Sequence, residues 1–242
     1  MIEGIMIWDT HIHIVPGVDD GARTIEEAIE MLRMEKRQGV DYIFATPHSM
    51  AFDRDTDKVH RSFEELQHAA YEARIEIELD LGCEMLCHVS NINDCIRKIK
   101  NGTYPTFGHY VLTEFPTYKI GINEVILCLS KIQDAGYTPI IAHAERYAFS
   151  NVSSISKMRE NGALVQINAY SITHNASPEI RKLATELVKF EQVDFVGSDA
   201  HRLDHRQPVI AEGVERIIQM TSREYATMIL ASNPKARLLR DC

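Results

Sequence analysis

Residues 5–13 read Ile5-Met6-Ile7-Trp8-Asp9-Thr10-His11-Ile12-His13, an apolar run that ends in two histidines separated by one residue. The run predicts a buried strand at Ile5–Trp8. Alternate residues of an extended segment point the same way, so His11 and His13 should share a face while Ile12 faces the core. This stretch therefore predicts a strand whose carboxyl end presents two imidazoles.

A strand followed by a helix recurs along the rest of the chain. Further apolar runs predict strands at Tyr42–Thr46, Ile77–Leu81, Tyr110–Thr113, Thr138–Ala142, Ala163–Ile167 and Val193–Gly197. Helical spacing and capping residues predict helices at 24–38, 58–74, 89–100, 123–135, 152–161, 178–190, 207–220 and 222–232. Such alternation indicates parallel strands joined by right-handed crossovers. Because no linker-like stretch interrupts it, we expect an α/β fold in which residues 1–242 form one closed or nearly closed barrel; a doubly wound open sheet is the alternative.

Six of the seven predicted strand ends are followed by histidine, aspartate or glutamate. The segments concerned are 9–21, 46–48, 82–84, 114, 142–146 and 198–201. In a parallel barrel these ends share one face, which holds the active site. Packed carboxylates repel one another unless cations lie between them, and carboxylate with imidazole suits manganese, iron or zinc. A single histidine after a strand, such as His48 or His143, is more often an ordinary loop residue, but the six placements together predict a metal centre.

The composition limits the classes of function. The 242 residues are 45% apolar and 25% charged, as in a globular domain. A net charge of −9 without a lysine or arginine run argues against a nucleic-acid surface. No stretch approaches the roughly 18 apolar residues of a membrane span, and the amino terminus does not resemble a signal peptide. The five cysteines contain no CxxC pair, so we expect reduced thiols in a cytoplasmic protein without membrane insertion.

Three motifs carry a resemblance to a known family. They are residues 11–21 (HIHIVPGVDDG), residues 142–147 (AHAERY), and residues 198–201 (SDAH) followed by Arg206. With these motifs the chain resembles a PHP (polymerase and histidinol phosphatase) domain, and more narrowly the manganese-dependent protein-tyrosine phosphatases of bacterial capsule and exopolysaccharide operons, the CpsB/CapC group. The resemblance implies a single-domain, distorted (β/α)7 TIM-like barrel, the PHP fold. The chain departs from the group after Glu84, where residues 85–88 lack a basic, strand-like continuation.

The resemblance also implies three divalent metal ions, with manganese expected and iron or zinc as alternatives. The first ion would be held by His11, His13, Glu84 and Asp199. The second would share Glu84 and add Glu114 and His143. The third would take Asp20, His48 and His201.

The implied reaction is hydrolysis of phosphotyrosine in proteins by a metal-bridging hydroxide, without a phosphoenzyme. Metal ions lower the pKa of bound water toward about 7, and a net positive cluster would attract a phosphate dianion despite the acidic chain. Arg146 and Arg206 would bind the remaining phosphoryl oxygens during catalysis. Asp9 is expected to orient a histidine, whereas Asp20 and His205 are candidates for a general acid.

Other functions stay open at this point. Another phosphomonoesterase of the same superfamily would act on histidinol phosphate or a nucleotide. An amidohydrolase-type metal hydrolase also uses an HxH strand end, although no predicted strand here is directly followed by the lysine typical of that class. A regulator without catalysis would bind a tyrosine-kinase tail. By resemblance, the partner would be the tyrosine-rich tail of a bacterial tyrosine autokinase, and the regulated process would be capsular or exopolysaccharide synthesis.

Overall fold

A computed structural model describes residues 5–118 and 120–239, so both ends of the predicted domain 1–242 lie outside the described residues. The strands are β1 (Ile7–Ile12), β2 (Val40–Ala45), β3 (Glu78–Leu81), β4 (Glu84–Leu86), β5 (Tyr110–Glu114), β6 (Thr138–Ile141), β7 (Leu164–Asn168) and β8 (Phe195–Gly197). The helices are α1 (Ile25–Arg37), α2 (Ser49–Glu72), α3 (Ile92–Lys100), α4 (Ile122–Asp134), α5 (Val152–Glu160), α6 (Pro178–Lys189), α7 (Ala211–Met220), α8 (Arg223–Thr227) and α9 (Asn233–Arg237). Within the described ranges, no helix combines the length and apolar character that crossing a bilayer requires.

The strands form two parallel sheets, and the chain passes from one to the other through a short bend between β3 and β4. One sheet has the order β1-β2-β3 and the other the order β4-β5-β6-β7-β8. All pairings within them are parallel, which confirms the predicted α/β architecture. Only Gly82 and Cys83 separate β3 from β4. A Cβ atom on Gly82 would lie 2.0 Å from the ring of Phe107, so the bend accommodates only glycine.

Backbone contacts near the carboxyl ends of the strands join the two sheets on both sides. On one side, the amide of His13 donates to the carbonyl of Ala200 over 2.9 Å. On the other side, the amide of Glu84 donates to the carbonyl of Pro47 over 3.1 Å. The strands therefore make a nearly closed barrel, and segments from both sheets meet at its carboxyl end.

Two apolar clusters form the core beneath this end. The larger one lies between the strands and the surrounding helices. The smaller one takes side chains from most of the strands, and its buried members are Trp8, Phe44, Phe107, Leu112, Ile140, Ala142, Phe195 and Leu238. Side chains layered in this way make a barrel interior a packed core rather than a pore. The polar residues at the carboxyl end therefore rest on a solid apolar base.

Helix α1 shows how the sequence sets the helices that surround the barrel. The side chain of Thr24 accepts a hydrogen bond from the amide of Glu27 and caps the first turn. Ala28 and Leu32 on the inner face are fully buried. Gly39 has φ 89° just beyond the helix, a left-handed conformation that glycine adopts readily. Capping, spacing and the glycine stop place this helix within one residue of the prediction.

Several boundaries differ from the sequence prediction, and three of the differences concern the segments that lead to the site. Strand β1 continues to Ile12 instead of ending at Trp8, because Asp9 and Ile12 still pair with β2 across an irregularity between them. Helix α2 begins at Ser49 instead of residue 58, and it bends at Asp55, whose φ and ψ of −165° and 91° are not helical. The expectation that no strand continues from Glu84 is wrong. Strand β4 begins there and pairs in parallel with β5.

Candidate metal centre

Glu84 lies in the middle of a cluster of imidazoles at the carboxyl end of the barrel. Its Oε1 atom is 3.3 Å from His11 Nε2 and 3.0 Å from His143 Nε2. Its Oε2 atom is 3.3 Å from His13 Nε2 and 2.9 Å from His48 Nδ1. The side chain of Glu84 is only 1% exposed. Residues from the ends of β1, β2 and β6 thus converge on a carboxylate that begins β4.

Two further carboxylates flank this cluster. Asp199, which follows β8, places Oδ1 3.6 Å from Nε2 of both His11 and His13. Glu114, the last residue of β5, places Oε1 3.6 Å from Nε2 of His143. Both contacts match the groups that the family resemblance implies for two of the metal ions.

The outermost group contains Asp20, His48 and His201. Oδ1 of Asp20 is 3.3 Å from His48 Nε2 and 3.7 Å from His201 Nε2. One ligand atom from each of these residues and one from His13 all lie within 4.8 Å of one another. The side chain of Asp20 is 66% exposed, so this group faces solvent. The structure therefore brings all nine residues of the implied ligand set to one end of the barrel, and His13 contacts two of the three groups.

Two residues that the sequence analysis missed orient the histidines. Gln166 Oε1 accepts a hydrogen bond from the backbone amide of His143 over 2.7 Å. The same oxygen lies 3.2 Å from Nδ1 of His11 and accepts a hydrogen bond from it. Asp19 Oδ2 accepts from Nδ1 of His13 over 2.9 Å. Each bond directs the Nε2 lone pair of the imidazole into the cluster.

The donor set fits divalent cations. Because their Nδ1 atoms bond elsewhere, the Nε2 atoms of His11 and His13, which lie 3.2 Å apart, are the atoms that can coordinate a cation once they lose their protons. Oε2 of Glu84 has no hydrogen-bond partner among the described residues, although an imidazole nitrogen lies 2.9 Å away. Buried charged groups without hydrogen bonds are costly unless they coordinate a metal. The cluster therefore has both the composition and the unmet bonding capacity of a metal centre.

The pKa values in the cluster reflect the crowded carboxylates. Burial opposes protonation of His13, but Asp19 and Glu84 outweigh it and raise the pKa of His13 to about 9. Burial is also outweighed at His48, where Asp20 and Glu84 raise the pKa to about 11. Burial alone would raise the pKa of Glu84, yet the surrounding imidazoles hold it well below its usual range. Cations that enter the cluster must displace protons, so metal affinity should rise with pH.

A cationic wall, defined by Arg146 and Arg206, stands beside Asp199. Arg146 Nη1 donates to Asp199 Oδ2 over 2.8 Å, and Arg206 Nη2 donates to the same oxygen. Asn168 Nδ2 donates to it as well, over 2.7 Å. Both arginine side chains are 32% exposed, so part of each guanidinium group faces outward. Guanidinium groups match the geometry of phosphoryl oxygens.

The structure gives the surroundings of three residues to which the sequence analysis assigned supporting roles. Asp9 accepts hydrogen bonds from the backbone amide of His11 and the hydroxyl of Ser198, not from an imidazole. His205 is exposed on the loop after β8. A hydrogen bond from His48 holds the pKa of Asp20 well below its usual range, so this carboxyl is ionised at neutral pH and suits a ligand better than a general acid.

A family model for capsular polysaccharide synthesis proteins, CpsB/CapC, matches residues 7–239. The chain belongs to the CpsB/CapC family. A putative tyrosine-protein phosphatase CapC from Staphylococcus aureus is 32% identical over 206 residues, which cover 82% of this chain and 78% of the relative. The tyrosine-protein phosphatase CpsB from Streptococcus agalactiae is 29% identical over 241 residues, which cover 95% of this chain and 97% of the relative. The family resemblance of the sequence motifs is confirmed.

A solved structure has the same fold as this CpsB/CapC family member. It belongs to the crystal structures of YwqE from Bacillus subtilis and CpsB from Streptococcus pneumoniae, which are described as metal-dependent tyrosine phosphatases. The TM-score is 0.84 at 27% sequence identity, and the match covers 96% of this chain and 94% of the other. The predicted fold class is therefore confirmed over nearly the whole chain.

Proposed function

We propose that this protein is a metal-dependent protein-tyrosine phosphatase. The observation that carries the proposal is the convergence of four imidazoles on the buried carboxylate of Glu84, beside the partly exposed guanidinium groups of the cationic wall. Cations and guanidinium groups both stabilise phosphoryl oxygens as charge develops on them. The relatives named tyrosine-protein phosphatases, and the solved relative described as metal-dependent, support the same activity.

The proposal includes three divalent cations, with manganese expected and iron or zinc as alternatives. One would be held by His11, His13, Glu84 and Asp199, a second by Glu84, Glu114 and His143, and a third by Asp20, His48 and His201. The short distances among these donors support the assignment. When bound, the cations would supply positive charge and make hydroxide available at neutral pH.

The chain itself would bind and orient the phosphoryl group. Asp199 fixes Arg146 and Arg206, and their outward N–H groups would bind phosphoryl oxygens bidentately. Asp199 can do so because it is ionised: burial would raise its pKa, but the nearby imidazoles and Arg206 hold it well below the usual range. The phenol of tyrosine has a pKa near 10, so its phenolate is a good leaving group. It needs less protonation by a general acid than an alkoxide does. The proposed reaction would therefore depend little on a general acid.

The substrate in this proposal is phosphotyrosine in a protein. The partner would be the tyrosine-rich tail of a bacterial tyrosine autokinase, reached in the cytoplasm. The match to a family model for capsular polysaccharide synthesis supports a role in regulating capsule or exopolysaccharide production.

Metal analysis and phosphate release from one preparation test the proposal. Elemental spectroscopy of the protein as purified should detect bound divalent metal, chelation should abolish activity, and Mn²⁺ should restore it better than Mg²⁺. Phosphotyrosine peptides should be hydrolysed faster than histidinol phosphate or nucleotides. A metal-loaded protein that binds phosphotyrosine peptides tightly but releases no phosphate would contradict the proposal and indicate a regulator without catalysis.

A further inference from the structure

A pocket of about 490 Å³ adjoins the cationic wall. Asn168 and Asp199 line it together with both arginines of the wall, while its sides come from residues 170–180 and 207–209. A cavity of this size is within the range of small-ligand sites. Neither the metal ligands nor the binding of a phosphoryl group accounts for its apolar side.

The sides of the pocket carry apolar side chains. Tyr170, Ala176 and Ile180 lie on the first segment, and Val209 lies on the second. Tyr170 is 43% exposed, so its side chain is accessible to a ligand in the pocket. Aromatic and aliphatic walls next to fixed cationic groups suit a ligand that joins a flat apolar group to an anion.

The first side of the pocket is tied to the turn that carries Arg146. Glu145 Oε1 accepts hydrogen bonds from the amide of Asn168 over 3.0 Å and from the hydroxyl of Ser171 over 2.5 Å. The phenol of Tyr170 donates to the carbonyl of Asn175 over 2.8 Å, which holds the ring against its own loop. The aromatic side chain and the arginine are therefore positioned by the same network.

The second side is held by Gln38, the residue that caps the carboxyl end of α1. Gln38 Nε2 donates to the carbonyl of Pro208 over 2.8 Å, and its Oε1 accepts from the amide of Ile210 over 2.9 Å. These bonds fix the backbone on both sides of Val209. Because its walls are already fixed, the pocket loses little conformational entropy when a ligand binds.

We propose that this pocket binds the aromatic ring of phosphotyrosine while Arg146 and Arg206 bind its phosphoryl group. The inference rests on the proposed function and adds to it the residues that favour aryl over alkyl phosphates. Tyr170 and Ile180 would contact the ring from one side, and Val209 from the other. A phosphoserine or other alkyl phosphate would make the same phosphoryl contacts but leave the apolar walls unfilled.

Two non-hydrolysable phosphonates separate the ring contribution from the phosphoryl contribution. Phenylphosphonate and methylphosphonate would be titrated by calorimetry into the manganese-loaded full chain. Burial of the ring should make phenylphosphonate bind about tenfold or more tightly than methylphosphonate. The quantity compared between variants is this ratio of dissociation constants, because differences in metal content or phosphoryl binding affect both ligands alike.

Variants in the pocket should change that ratio. In Ile180→Ala and Tyr170→Ala the ratio should fall about threefold to tenfold. In Ile180→Trp the larger side chain fills the pocket. The affinity for phenylphosphonate should fall about tenfold or more, while the affinity for methylphosphonate should change by less than about twofold. Tyr170→Phe keeps the ring and should keep the ratio. Glu179→Ala, at an exposed position beside Ile180 on α6, is the matched control and should behave as wild type.

Phosphotyrosine hydrolysis by the same preparations separates the two proposals. Phosphate release by the wild type, combined with equal losses of both phosphonates in the pocket variants or no losses at all, would overturn the pocket assignment and leave the proposed function standing. No phosphate release by the metal-loaded wild type would overturn the proposed function, and with it the substrate assigned to the pocket.

Discussion

Glu84 and Glu35 are both almost completely buried, at 1% and 0% exposure, yet their surroundings are opposite. Imidazoles surround the carboxylate of Glu84 at 2.9–3.3 Å and hold its pKa well below the usual range against the effect of burial. Neither side-chain oxygen of Glu35 has a hydrogen-bond partner among the described residues. Burial raises the pKa of Glu35 well above the usual range, and the charge of Asp9 raises it further.

The difference shows where this fold can keep a buried charge. Glu84 stands at the carboxyl end of the barrel, where strands from both sheets deliver cationic or metal-binding partners. Glu35 lies on the face of α1 that also buries Met31 and Leu32, where its neighbours do not compensate a charge. Burial of an unpaired charge costs several kcal/mol, so the group becomes neutral instead. We therefore expect Glu84 to serve the site and Glu35 to reduce the stability of the fold.

The largest effect should come from removing the charge at the centre. Glu84→Gln keeps the volume of the side chain but removes the anion that the imidazoles share. Bound metal should be lost and phosphotyrosine hydrolysis should fall at least about a thousandfold, since metal-ion stabilisation of a transition state is worth several kcal/mol. Elemental analysis and kinetics on the folded variant, verified by circular dichroism, measure both. Wild-type metal content with wild-type turnover would falsify the central role of this carboxylate.

A change in the cationic wall should have a smaller and different effect. Arg146→Ala should lower kcat/KM by about a hundredfold, because charged hydrogen bonds contribute roughly 1.5–3 kcal/mol each. Metal content should stay unchanged, which distinguishes this variant from Glu84→Gln. Arg61→Ala, at an exposed position on α2, is the control. Kinetics unaltered by Arg146→Ala would mean that this arginine does not contact the substrate.

The sequence predicted the groups at the strand ends but not the groups that orient them. Parallel strands place their carboxyl ends on one face of the barrel. The sequence therefore predicted that residues such as His48 and Glu114 lie close together. No such rule points to Gln166, whose position inside strand β7 shows only as a single amide within an apolar run. Asp19 sits in the quoted motif, yet the sequence does not say that it bonds to His13 while the adjacent Asp20 contacts His48 and His201.

The limits on the fold have a similar cause. Apolar runs locate strands, but strand β1 extends beyond its apolar run because Asp9 and Ile12 pair with β2, a long-range contact that the run itself does not reveal. The chain between β3 and β4 bends at Gly82 because the ring of Phe107 occupies the space of a side chain. Glu35 could have been noticed, since it falls three residues after Leu32 on the buried face of α1.

Removal of an orienting group should weaken metal binding without abolishing it. Gln166→Leu leaves Nδ1 of His11 and the amide of His143 without their acceptor, and metal affinity should fall about tenfold. Gln166→Glu keeps an acceptor oxygen and should lose less. Competition with a metal-sensitive dye measures the affinity, and the thermal stability of the metal-free proteins shows whether packing has changed. Equal metal affinities in Gln166→Leu and wild type would restrict Gln166 to a packing role.

The smallest effect on activity should come from the second buried glutamate, where the change should instead be a gain in stability. Glu35→Met removes an unsatisfied carboxyl and should raise the free energy of unfolding by about 1–3 kcal/mol. Activity should stay within about twofold of wild type, because the Glu35 carboxyl makes no hydrogen bond to a metal ligand among the described residues. Glu64→Gln on the exposed side of α2 is the control and should change stability by less than about 0.5 kcal/mol.

The pH dependence of Glu35→Gln isolates the charge. A pKa raised above its ordinary value of 4.5 means that the folded state keeps a proton that the unfolded chain releases. The contribution of Glu35 to wild-type stability therefore falls as pH rises above about 4.5, until the folded carboxyl also ionises. Chemical denaturation of both proteins should give similar stabilities near pH 4, with a gap in favour of Glu35→Gln that widens toward neutral pH. A constant difference in the free energy of unfolding across this range would mean that Glu35 does not change its charge on folding. The contrast between Glu35 and Glu84 would then come from packing alone.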